Sequence, residues 1–190
     1  MKQQQILQKE ALEIVERLGL LGYLKQLGTA KIMGSVLLET VIKPDIDIHL
    51  LINQTHSVQE AIKKTCNYLE TKHDIKKIET NCYSEKNATK IGFFYPGKTT
   101  KWDIEIWVTD ELEKTAFKNT EKILKKMTPQ HREIIMAMKK HFYAKGLLRH
   151  GMSTKIYYAV LEKNITNIND FENMLKQKIA DNPKWDPNFT

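Results

Sequence analysis

The sequence predicts an α+β chain, and three observations carry that reading. Its first 18 residues repeat apolar side chains at helical spacing. The stretch from Ala30 to Val108 holds several short segments with a period of two. From Asp110 onward the pattern returns to helices. Strands collected in the middle of the chain and helices at its end imply an α+β architecture with a small mixed sheet, flanking helices and a helical C-terminal part.

The elements follow in order. Leu7, Ala11, Ile14, Val15 and Leu18 lie at i, i+4, i+7, i+8 and i+11, one face of an amphipathic helix over residues 4–18. Gly19, Gly22 and Gly28 interrupt what comes next. Ala30 to Met33 is a short apolar strand that ends at Gly34-Ser35. Asp45 to Ile52 alternates acid and apolar residues and then turns wholly apolar, as a strand with one end at the sheet rim does. Ser57 is an N-cap for a helix running to Glu70, with Val58, Ala61, Ile62 and Tyr68 inward. Three β segments follow, Ile75–Tyr83, Thr89–Tyr95 and Thr100–Val108. Pro96-Gly97 between the last two signals a hairpin turn. Helices are expected over 111–127, 130–145, 153–163 and 168–180, with Thr128 capping the second and Pro129 at its first position. Asp181 to Thr190, with two prolines, reads as an irregular tail. The division into domains is expected at 1–110, the sheet domain, and 111–190, the helical region.

Composition sets limits. Of 190 residues, 41% are hydrophobic and 28% charged, with only 8 Gly and 5 Pro, which excludes a low-complexity or collagen-like chain. The longest apolar runs are about five residues, as in Ile134 to Met138, far short of the roughly 20 that span a bilayer. Met-Lys-Gln-Gln-Gln at the N-terminus lacks the apolar core of a signal peptide, so a cytoplasmic location is expected. Cys66 and Cys82 form no C-x-x-C pair and suggest neither a disulfide framework nor a zinc site; both are expected to be buried apolar groups. The net charge of +7 is uneven. Residues 1–110 are almost balanced, with 15 Lys and Arg against 14 Asp and Glu, whereas residues 111–190 carry 15 against 9. The second part is therefore the candidate surface for a polyanion, although most helical lysines simply face solvent.

The acids carry the chemistry. Gly34-Ser35 is followed, after a gap of nine residues (36–44), by Asp45-Ile46-Asp47. In a strand Asp45 and Asp47 point to one face, roughly 7 Å apart, while Ile46 and Ile48 point into a core. Two adjacent carboxylates repel and are costly to bury unpaired. They suit solvent or a divalent cation such as Mg²⁺, which takes hard oxygen ligands. Asp103 and Glu105 repeat the theme on a second strand, opposite in direction to Trp102, Ile104 and Ile106. If the two strands are neighbours, three or four carboxylates converge, enough to hold two Mg²⁺ ions that act on a phosphoryl group. Gly34 lets the backbone approach a phosphate, and Ser35 offers a hydroxyl donor.

Strand, Gly-Ser, spacer, Asp-x-Asp and a later acidic strand resemble the DNA polymerase beta-like nucleotidyltransferase superfamily over about residues 28–108, in particular its small aminoglycoside and lincosamide nucleotidyltransferases. The resemblance implies that Gly34 and Ser35 hold nucleotide phosphates and that Asp45 and Asp47 ligate Mg²⁺. By the same likeness Asp103 is the third carboxylate, and Glu105 either a further ligand or the base for the acceptor hydroxyl. Lys43-Pro44 stands where many members have Ser or Arg. In related enzymes a helical region closes over the nucleotide, and Arg149-His150-Gly151 with Ser153 and Lys155 is the segment expected in that role, with Arg149 and Lys155 reaching the phosphates. Ser153 is otherwise an N-cap. His49 continues the face of Asp45 and Asp47 but is expected to pack under a helix, and Tyr157 and Tyr158 are expected in a core.

The expected function is transfer of a nucleoside monophosphate from ATP or another NTP to an acceptor hydroxyl, with two Mg²⁺ ions. Chain length favours a small-molecule acceptor over RNA or protein, while the basic helical region keeps nucleic acid open. The rival reading is a catalytically silent module of the same fold that binds RNA or a protein partner.

Overall fold

In a computed structural model the described residues are 2–84, 87–98, 100–149 and 151–181. His150 and residues 182–190, where an irregular tail was expected, lie outside them. The described chain forms two compact units, Met1–Thr120 and Glu121–Thr190.

The first unit opens with α1 (Lys2–Arg17) and a short α2 (Leu20–Leu24). Strand β1 (Gly28–Met33) leads into a single helical turn, α3 (Gly34–Leu37), and then β2 (Asp45–Ile52). Helix α4 (Val58–Glu70) precedes three strands, β3 (Ile78–Tyr83), β4 (Ala88–Pro96) and β5 (Lys101–Thr109). Ser57 and Glu60 cap α4 reciprocally, the Ser57 hydroxyl accepting from the Glu60 N–H at 3.2 Å and the Glu60 carboxylate from the Ser57 N–H at 2.9 Å. The Pro96-Gly97 turn closes the expected hairpin, β4 and β5 pairing antiparallel.

The five strands form one mixed sheet in the order β1-β2-β5-β4-β3. Only β2 and β5 are parallel. Period two makes each strand two-faced. Ile46, Ile48 and Leu50 on β2 and Trp102, Ile104, Ile106 and Val108 on β5 are buried on one face. They pack with Ala11, Ile14 and Val15 of α1, Leu20 and Leu24 of α2, and Ala61 and Leu69 of α4. Burying a side chain of this size contributes about 1.5–3 kcal/mol, so this layer fixes which way every strand faces. A one-residue slip would exchange the two faces. The acids are thereby committed to the opposite face.

After β5 a 3₁₀ turn (Leu112–Lys114) and the start of α5 (Phe117–Lys126) stay with the first unit. The Ala116 N–H donates to His49 Nδ1 at 3.2 Å, and Lys31 Nζ lies 4.8 Å from the centre of the Phe117 ring. The second unit contains α6 (Pro129–Ala144), α7 (Met152–Lys163) and α8 (Ile168–Asp181). Thr128 caps α6 by accepting from the His131 N–H at 3.1 Å, with Pro129 at the first position. Ile135, Met138, Phe142, Ile156, Val160 and Phe171 are buried. Among the described residues no helix is long and apolar enough to cross a membrane.

Candidate active site

The parallel register of β2 and β5 sets Asp45 level with Asp103 and Asp47 level with Glu105. Level residues on adjacent strands project to the same face, so four carboxylates form a square on the side away from α1 and α4. All four are half-buried. The condition left open by the sequence, that the two acidic strands be neighbours, is met.

Local chemistry shapes one side of the square. Gly34 follows β1 directly and has φ +59°, a left-handed conformation that side chains resist. A Cβ there would collide with the Asp47 carboxylate, whose Cγ would lie 3.2 Å away. Glycine thus allows backbone and acid to meet. Ser35 is buried, and its hydroxyl has no hydrogen-bond partner. Helix α1 holds this turn from behind, with Gln8 Nε2 donating to the Val36 carbonyl at 2.6 Å and Gln4 Nε2 to the Glu39 carbonyl at 3.1 Å.

Two lysines answer the acids. Lys43 Nζ stands 2.7 Å from Asp45 Oδ2, and Lys90 Nζ is 2.7 Å from Glu105 Oε1. Burial pulls the Lys43 pKa down, but Asp45, Asp47 and Asp103 outweigh it and hold the ammonium above its ordinary value. Burial also pushes the Asp103 carboxyl up; Glu105 and Asp45 add to the rise, and Lys43 and Lys90 only partly offset it. Lys90 lies above its ordinary value because Glu105 overcomes its burial. Two ammoniums against four carboxylates leave two excess negative charges when all are ionised.

The square is chemically suited to a divalent cation. Asp45 Oδ1 is buried with no hydrogen-bond partner, although its other oxygen is held by Lys43. An acceptor left so costs about 1–3 kcal/mol, which a bound cation would relieve. Among the described residues no three His, Cys, Asp or Glu side chains already converge closely enough to hold a metal ion. The Lys43 ammonium, drawn by Asp45, Asp47 and Asp103 together, is the positive charge present among them.

The other residues that the sequence singled out have the following surroundings within their own units. His49 shares the face of Asp47 but packs beside Trp107 and Phe117, and burial lowers its pKa to about 4, so it is a neutral packing residue. Arg149 and Lys155 belong to the second unit, Arg149 exposed before α7 and Lys155 half-buried in its first turn. The cap of α7 is Gly151 in a left-handed conformation, not Ser153. Tyr157 is buried and Tyr158 half-buried. Cys66 is half-buried, whereas Cys82 is exposed, because β3 is an edge strand with little covering it. Three residues of this face carry no signal of a role in the sequence pattern: Lys43, Lys90 and Phe94. Counting outward from the Pro96-Gly97 turn would have set Phe94 opposite Asp103.

No family model and no curated protein matches the sequence. Solved structures do match its fold. One is a GLD-2/RNP-8 complex, 13% identical with a TM-score of 0.59, the match covering 95% of this chain and 68% of that one. A second is the Cid1 poly(U) polymerase, 16% identical, TM-score 0.55, covering 73% of this chain and 42% of that one. A third is the polymerase core of TRAMP, an RNA surveillance complex, 18% identical, TM-score 0.52, covering 86% of this chain and 55% of that one. The chain therefore shares the α+β fold of these structures, while spanning 42% to 68% of their length. The structures named here include a poly(U) polymerase, and none of the three is an aminoglycoside or lincosamide enzyme of the kind the motif brought forward.

Proposed function

We propose that the chain is a metal-dependent nucleotidyltransferase that moves a nucleoside monophosphate from an NTP to an acceptor hydroxyl and releases pyrophosphate. The observation that carries this reading is the level pairing of Asp45 with Asp103 and Asp47 with Glu105 on one face, beside a glycine turn that only a missing Cβ permits. The shared fold supports it.

In this reading the acceptor oxygen forms a bond to the α-phosphorus as the bond to the pyrophosphate oxygen breaks, in line. Asp45, Asp47 and Asp103 would hold Mg²⁺, which when bound would supply Lewis-acid neutralisation of the phosphate charge. Gly34 brings backbone to the phosphates, and the unpartnered Ser35 hydroxyl donates to one of their oxygens. Lys90 fixes Glu105 Oε1, which orients the carboxylate to accept the proton of the acceptor hydroxyl. Arg149 and Lys155 are proposed as further nucleotide-binding residues on the strength of their charge before and within the first turn of α7. The acceptor suggested by chain length, a small molecule, draws no support from the solved relatives, whose names speak of poly(A), poly(U) and RNA.

The test is incubation with α-labelled ATP, GTP, CTP and UTP, Mg²⁺, and mixtures of metabolites or RNA, followed by mass spectrometry of acceptors and pyrophosphate. Label on an acceptor with matching pyrophosphate is expected. No transfer from any NTP, together with no thermal stabilisation by Mg²⁺ and NTP, would overturn the reading in favour of a silent module.

Two predictions separate the roles within the square. Asp103→Asn should lower kcat on the order of a hundredfold or more, with the Mg²⁺ concentration for half-maximal activity rising. Glu105→Gln should lower kcat without moving the Mg²⁺ requirement; the reverse pattern would exchange their roles. Lys43→Gln removes the ammonium that competes with Mg²⁺. Its Mg²⁺ affinity should rise roughly three- to tenfold, up to about 1.4 kcal/mol, read without NTP as a larger Mg²⁺-induced shift in Tm. Unchanged or weaker Mg²⁺ binding would show that Lys43 does not compete for the site.

A further inference from the structure

Beside the acidic square stands an aromatic ring that nucleotidyl transfer, as described, does not use. Phe94 is 48% exposed, although Phe93 and Tyr95 on either side are buried. Its register partner is Asp103, so ring and carboxylate project from one face of the sheet with Cβ atoms about 5 Å apart. The Lys101 ammonium sits over the ring, 3.9 Å from its centre. This end of the β4–β5 hairpin borders a hollow of about 700 Å³ lined by Phe94, Asp74 and four lysines, Lys76, Lys77, Lys98 and Lys101. Lys77 is paired with Glu79 at 2.5 Å and Lys98 with Glu13 at 2.7 Å. Lys76 and Lys101 form no ion pair among the described residues, so the hollow keeps a positive excess.

The sheet order gives the hollow a direction. Gly34-Ser35 lies beyond β2 on one flank of the square, and Phe94 lies on β4, beyond β5 on the other. An in-line displacement needs nucleophile and leaving group on opposite sides of phosphorus. If the triphosphate rests against Gly34-Ser35, the acceptor comes from the flank of Phe94. An exposed ring beside unpaired ammoniums matches one ligand chemistry, a chain of bases and phosphates. The ring stacks a base, and the lysines take the backbone. An acidic peptide would not require the ring, and an apolar ligand would not require the lysines.

Resting on the proposed transfer, we propose that this hollow binds the end of a single-stranded polynucleotide acceptor, its terminal base on Phe94 and its preceding phosphates at Lys76 and Lys101. Lys101 then leaves the ring for the phosphate as the base arrives.

Fluorescence anisotropy tests this with the full chain, without Mg²⁺ or NTP, using a 5′-labelled oligoribonucleotide of about 12 residues and the deoxy strand of the same sequence. Binding of at least one is expected, and the tighter of the two names the source as RNA or DNA. Phe94→Ala should weaken it about tenfold with the salt dependence unchanged, and Phe94→Trp should restore it. Lys76→Gln with Lys101→Gln should weaken binding and reduce the slope of log K against log salt by roughly 1.4, about 0.7 for each phosphate no longer neutralised. Circular dichroism confirms that each variant is folded. Asp45→Asn should bind at least as tightly as wild type, so the site stands even if the chain transfers no nucleotide. Absence of binding to either strand would overturn the proposal. So would wild-type affinity in Phe94→Ala, or an unaltered salt slope in the lysine pair.

Discussion

Asp45→Asn and Asp47→Asn are each expected to abolish measurable nucleotidyl transfer, a fall on the order of a thousandfold or more, while the metal-free protein stays folded. The two effects separate because of where the acids stand. Both are half-buried on the open face of β2, and the residues that hold the strand in place, Ile46, Ile48 and Leu50, point the other way. Asparagine keeps the shape and removes one negative charge from a set of four carboxylates that repel one another. The metal-free Tm of Asp47→Asn should therefore hold steady or rise slightly, and that of Asp45→Asn should hold steady or fall slightly, because it also gives up the ion pair with Lys43. The stabilisation that Mg²⁺ gives wild type should be lost, because a ligand stabilises only the state it binds, by RT ln(1 + [L]/Kd). Turnover within threefold of wild type in either variant would remove these carboxylates from the chemistry. A collapse in metal-free Tm would instead make them structural.

Gly34→Ala is expected to cost both stability and activity. A methyl group at φ +59° carries a penalty of about 1–2 kcal/mol, and the new Cβ would run into Asp47. The carboxylate cannot retreat into the sheet, because the opposite face of β2 is filled. It must turn toward the square and lose its alignment with Glu105. Activity should fall at least a hundredfold, the size of effect that follows removal of one electrostatic interaction with the transition state. Ser35→Ala provides the comparison: without the backbone strain it should keep wild-type stability and mainly raise the KM for NTP. A Gly34→Ala protein with normal Tm and near-normal kcat would mean that neither the turn nor the Asp47 position matters to the reaction.

Most of the long elements, and the face each strand shows, are legible along the sequence, whereas the short helices α2 and α3 and the break of the expected helix 111–127 into a 3₁₀ turn and α5 are not. Asp-Ile-Asp-Ile and Trp-Asp-Ile-Glu-Ile commit their acids and their isoleucines to opposite sides, because a strand alternates and isoleucine cannot remain in water cheaply. Ser57 and Thr128, the latter followed by Pro129, marked helix starts, because each caps its helix through a local hydrogen bond that needs no partner elsewhere in the chain. The tertiary structure alone decided which strands became neighbours. Asp45 and Asp103 are 58 residues apart in sequence, and they share a site because β5 lies parallel to β2 while β3 and β4 continue outward beyond it. Register did the rest. It set Lys90 against Glu105, turned His49 from the end of an acidic face into packing beneath Ala116 and Phe117, and put Phe94 next to Asp103. Lys43 shows the same limit within two residues of Asp45: as sequence it was a departure from a motif, and only the meeting of Asp45, Asp47 and Asp103 made it their counter-charge. Periodicity is a property of one segment and can be read along it, whereas a charge cluster belongs to several segments and exists only once the sheet has chosen their order.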